Sequence, residues 1–200
     1  RPRQVNVLAS SMLTPGDIEA IKAWIEAFGL QPLVLPDIGD SLDGHLVDQD
    51  TSPLTLGGTS TGDLATLGEA AATLVIGRSL QRAADLLKTR SGVPDYRFDH
   101  LLGLDAGDAF TLALAEISGQ PVPASVDRQR AQLQDAMVDT HFMTGFLRVA
   151  IAGDPDLLLA LGQFLHGVGA EIVAAVAAAR SEVLAELPAA DWRRRGPAQS

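Results

Sequence analysis

The residues with most scope for chemistry lie in Ile76-Gly77-Arg78-Ser79-Leu80-Gln81. An apolar run precedes them and an amphipathic one follows, so Ser79 stands where a nucleophile elbow places its serine. That turn needs a small residue at its fifth position, and Gln81 occupies it. Ser79 is therefore expected to cap a helix. The same helix start, with Arg78 beside it, could hold a small anion on its backbone amides. A second candidate is the acidic group Asp37, Asp40, Asp43, Asp48 and Asp50. Taking Gly44 as the sixth residue of a calcium loop puts Gly39 at the first, where an oxygen ligand is required, and the pattern fails.

Other constellations are absent or have ordinary explanations. The only lysines are Lys22 and Lys88, and neither follows a glycine, which excludes a phosphate-binding P-loop. Gly167-Val168-Gly169 ends a helical pattern and is expected to stop it, not to cradle a dinucleotide. His45, His100, His141 and His166 form no metal-ligand spacing with one another. Asp154 and Asp156 fit a helix cap and a first-turn charge. No residue is assigned a catalytic, cofactor-binding or metal-binding role.

The elements that would position these residues alternate. Val5 to Leu8, Leu33 to Leu35, Thr73 to Ile76, Tyr96 to Phe98, Arg148 to Ile151 and Ile172 to Val176 are apolar runs of strand length. Between them lie helical patterns. Thr14-Pro15-Gly16-Asp17 opens one, with Ile18, Ile21, Ile25 and Phe28 on one face. Asp105 is expected to cap another and Asp154 a third. Continuous apolar strands separated by helices predict an α/β fold, with Rossmann-like βαβ units, a mostly parallel sheet and strands buried on both faces. The spacing divides the chain into a first, Rossmann-like domain over 1–122, a connector helix over 123–145 and the partial start of a second α/β lobe over 146–187. The Arg-, Pro- and Ala-rich tail over 188–200 has the composition of a disordered segment.

Composition narrows the function classes. The 200 residues carry 25 acidic against 15 basic side chains, a formal net charge of -10. So acidic a chain is a poor partner for nucleic acid. There is no cysteine, which excludes disulfides, a thiol nucleophile and a thiolate-held iron–sulfur cluster on this chain. The most apolar stretch, Gly169 to Ala179, contains Glu171 and is about half a bilayer span. The expectation is a cytoplasmic protein with neither nucleic acid nor membrane as partner.

Several segments taken together resemble a known family. They are Asn6-Val7-Leu8, Thr14-Pro15-Gly16-Asp17-Ile18, Phe28-Gly29-Leu30-Gln31-Pro32, Gly57-Gly58-Thr59, Gly103-Leu104-Asp105-Ala106-Gly107-Asp108 and Arg148-Val149-Ala150-Ile151-Ala152-Gly153-Asp154-Pro155-Asp156. In order, they resemble the middle domain and the opening of the third domain of the nitrogenase molybdenum–iron protein β-subunit family. Ser41-Leu42-Asp43-Gly44-His45-Leu46 and Gln129-Arg130-Ala131-Gln132-Leu133-Gln134-Asp135-Ala136 are similar to one branch, the scaffold on which the iron–molybdenum cofactor is assembled.

That resemblance implies a non-catalytic scaffold subunit working in a heterotetramer with the NifE subunit, in a nitrogen-fixing cell. It implies an iron–sulfur cluster in the intact complex, held by cysteines that this chain lacks, and so a central fragment with no cofactor of its own. Residue chemistry alone leaves open an alternative, a small-molecule or anion-binding βαβ module using the Gly77–Ser79 turn.

Overall fold

The computed structural model describes residues 1–39 and 58–188. Asp40, Asp43, Asp48, Asp50 and His45, and the expected tail from residue 189 onward, lie outside the described residues. The chain divides into two compact units, Arg1–Gln132 and Leu133–Ser200.

The first unit holds a four-stranded parallel sheet in the order β2-β1-β3-β4. Its strands are β1 (Gln4–Ala9), β2 (Gln31–Leu35), β3 (Ala72–Ile76) and β4 (Asp95–Phe98). Every residue of β1 and β3 is buried, while β2 and β4 at the edges are partly open. Full burial of the central pair accounts for their unbroken apolar reading.

Strand alternation sends side chains to two helical layers. Val5, Val7, Ala9, Leu74 and Ile76 meet Ile18, Ile21, Ile25 and Phe28 from helix α1 (Pro15–Ala27) and its end, and Phe110 and Leu114 from α4 (Gly103–Ser118). Phe110 sits edge-on between Trp24 and Phe98, each ring centroid 5.2 Å away. On the other face Leu8 and Val75 pack with Ala84 of α3 (Gln81–Ser91). Asn6, fully buried in β1, donates from Nδ2 to the Leu67 carbonyl at 2.9 Å and to Thr73 Oγ1 at 3.2 Å. These bonds tie β1 to the short 3-10 turn Leu67–Glu69 that precedes β3.

Local signals set the helix ends. Thr14 and Asp17 form a reciprocal capping box with Pro15 in the first turn of α1. A second box, Ser60 with Asp63, opens the short helix α2 (Thr61–Leu64). Two expected caps are displaced. Ser79 is not the N-cap residue of α3: a 3-10 turn over Arg78–Leu80 intervenes, and α3 starts after Leu80. Asp105 lies in the first turn of α4, which starts two residues earlier after Leu102. A first-turn carboxylate favours the helix dipole without serving as the cap.

Helix α5 (Ala124–Thr144) runs for 21 residues, and the division between the two units falls within it. Near its start, Val126 is buried, and Arg130 grips Asp108 of α4 through two hydrogen bonds of 2.6 and 2.8 Å. That contact holds the Asp108 carboxyl below the usual range.

The second unit is a single step of the same grammar. Strand β5 (Arg148–Gly153), helix α6 (Pro155–Gly167) and strand β6 (Glu171–Ala177) form a βαβ unit with a parallel two-stranded sheet. Asp154 caps α6, accepting from the Leu157 amide at 2.9 Å. Leu158, Leu159, Ile172 and Leu187 are buried. Gly169 turns the chain at φ +86, and a Cβ there would lie 3.3 Å from the Gly145 Cα. The expectation of strands buried on both faces fails here: β5 alternates between exposed and half-buried, and only Ile172 of β6 is buried. One helix covers one face of a two-stranded sheet, and among the described residues of this unit nothing comparable covers the other.

Candidate functional site

The chain leaves β1 toward β2 on one side and returns to β3 on the other, so the sheet order reverses between β1 and β3. In open α/β sheets the crevice outside the carboxyl ends of such a pair is where ligands bind. Ser10 and the Gly77–Ser79 turn stand at this point. The Ser10 amide donates to the Ile76 carbonyl at 3.2 Å, and the Gly77 amide donates to the Phe98 carbonyl at 2.9 Å. Gly77 has φ +118, a conformation that side-chain-bearing residues rarely adopt. Ser10 is buried, and its hydroxyl has no hydrogen-bond partner.

The charges at this turn are already balanced. Arg78 donates from a guanidinium nitrogen to Asp99 Oδ2 at 3.1 Å. An anion arriving there would compete with a carboxylate, which removes most of the electrostatic reason for the turn to bind one. The imidazole nearest in sequence, His100, accepts the Leu102 amide on Nδ1 at 3.1 Å and so serves the approach to α4.

The remaining sequence candidates are dispersed. Asp37, at the end of β2, pairs with Lys22 of α1 at 2.7 Å, and Glu19 joins Lys22 at 2.8 Å. Partial burial works against the Lys22 charge, but the hydrogen bonds it donates to Asp37 and Glu19 outweigh it and raise its pKa. Asp156 is buried in the first turn of α6, and His166 lies in the last. The His141 ring meets the Phe142 ring edge-on. Among the described residues no group of three or more His, Cys, Asp or Glu is placed to hold a metal ion. With no cysteine in the chain, its donor set does not fit an iron–sulfur cluster.

A groove of about 280 Å³ runs between β4 and α4, lined by Tyr96, Phe98, Leu112 and Glu116. Burial and then the Glu116 hydrogen bond push the Tyr96 hydroxyl up.

The most distinctive surface belongs to the second unit and was missed from sequence. Val138, Phe142 and Phe146 recur every four residues along the end of α5 and just past it, and they are 66%, 80% and 88% exposed. Met143 is 75% exposed, and Val173 and Val176 of β6 are open as well. An i, i+4 apolar row on a helix is built to be covered. Read for a buried face, this helix offers only the sparse apolar positions Val126, Leu133, Met137 and Phe142; the fourfold spacing of Val138, Phe142 and Phe146 is the signal available.

The chain was compared with known proteins. The model of the family "Nitrogenase component 1 type Oxidoreductase" matches residues 1–194. The nitrogenase iron-molybdenum cofactor biosynthesis protein NifN of Bradyrhizobium diazoefficiens is 47% identical over 183 residues, covering 92% of this chain and 39% of that protein. The protein of the same name from Nostoc is 46% identical, covering 94% of this chain and 42% of that one. That from Klebsiella pneumoniae is 44% identical, covering 94% and 41%. A solved structure of nitrogenase Cp1 at pH 6.5 superposes with a TM-score of 0.83 at 30% identity, covering 92% of this chain and 40% of that one. The chain therefore spans about two-fifths of the length of the relatives it matches. The parallel βαβ architecture, the matched residues and these identities lead to one assignment: this chain belongs to the nitrogenase component 1 type oxidoreductase family.

Proposed function

We propose that this chain is part of a scaffold subunit on which the nitrogenase iron–molybdenum cofactor is assembled. It acts by association and not by catalysis. Its partner is the NifE subunit, in a cytoplasmic complex whose iron–sulfur cluster is held by cysteines outside this chain. The similarity to cofactor-biosynthesis proteins named NifN supports the role. No helix among the described residues is long and apolar enough to cross a membrane, which is consistent with a cytoplasmic setting.

One observation within the molecule carries the reading: the uncovered row Val138, Phe142 and Phe146, continued by Met143. Soluble proteins seldom leave large contiguous apolar surface open unless something else covers it. An assembly subunit needs such surface, whereas a free-standing anion-binding module does not. The neutralised Arg78 at the Gly77 turn points the same way.

The test is a chimera. The matching segment of the NifN protein of Klebsiella pneumoniae is replaced by this chain, and cofactor assembly is scored in a purified system. The chimera is expected to sustain assembly. A chimera that folds and forms its complex yet assembles no cofactor would refute the proposal.

A further inference from the structure

We draw no further inference here: the strongest candidate, the uncovered apolar face formed by Val138, Phe142 and Met143 of α5 with Phe146 beyond it, already carries the proposed function, and nothing in the structure shows which chain or segment covers it.

Discussion

Replacing Phe142 and Phe146 together by serine separates surface held for assembly from surface that supports the fold. Burying a phenylalanine side chain that was fully exposed is worth about 1.5–3 kcal/mol. Phe142 is 80% and Phe146 88% exposed, so most of that gain is still unrealised in this chain. By the same scale the two rings together hold about 2.5–5 kcal/mol for whatever covers them. At about 1.4 kcal/mol per decade, this is a loss of roughly 100-fold or more in the affinity of the assembled complex. The stability of the chain itself should move by no more than about 0.5 kcal/mol, as for other exposed positions. Urea denaturation of the chain, binding of a hydrophobic dye and titration against the partner subunit measure the three effects. The expected outcome is an unchanged denaturation midpoint, reduced dye binding and weakened association. A double variant that loses about 2 kcal/mol or more of fold stability would show both rings to be buried already, and the reasoning would fail.

Further expectations concern the fold and the turn at Gly77. Asp95 is partly buried in β4, its side chain only 4% exposed; that raises its pKa, but hydrogen bonds from Lys88 and Arg97 outweigh it and leave it below its ordinary 3.8. A carboxyl lowered in the fold stabilises it above the unfolded value and loses that contribution as pH falls through the folded one. Asp95→Asn should therefore cost about 1–3 kcal/mol at neutral pH, with the gap to wild type closing in acid. Denaturation curves at a series of pH values check this, and a gap independent of pH would contradict it. Phe110→Ala removes a fully buried ring with two aromatic neighbours, and a loss of about 3–5 kcal/mol is expected by chemical denaturation. Gly169→Ala forces a side chain into φ +86 beside the Gly145 backbone, and about 1–2 kcal/mol should be lost. Because Asp99 holds Arg78, inorganic phosphate should give no saturable rise in Tm; a rise abolished by Arg78→Ala would restore the anion-binding reading.

What could be read in advance was local. Thr14, Pro15 and Asp17 form their cap within one turn, so the sequence contains the whole interaction. The apolar runs of β1 and β3 match strands covered on both faces, and alternation with helices carried the parallel sheet. The Ser79 cap failed because Gly77, at φ +118, opens a 3-10 turn that consumes the residues a cap would need. The Lys22–Asp37 pair and the Asn6 bonds to Leu67 and Thr73 join residues 15 to 67 positions apart, which spacing rules do not reach. The openness of β5 and β6 was hidden for another reason. An apolar run records that a strand is to be covered, not whether the cover lies within the described residues. The exposed row on α5 lay within the expected connector helix over 123–145, and a fourfold apolar spacing reads alike whether the row faces inward or outward.

The most direct test of the central claim is anaerobic co-purification of this chain with the NifE subunit, scored by the mass of the complex and its iron content. The account predicts a stable complex in which any iron is held by cysteines of the partner. A chain that elutes alone, as a monodisperse monomer binding no hydrophobic dye, would contradict it.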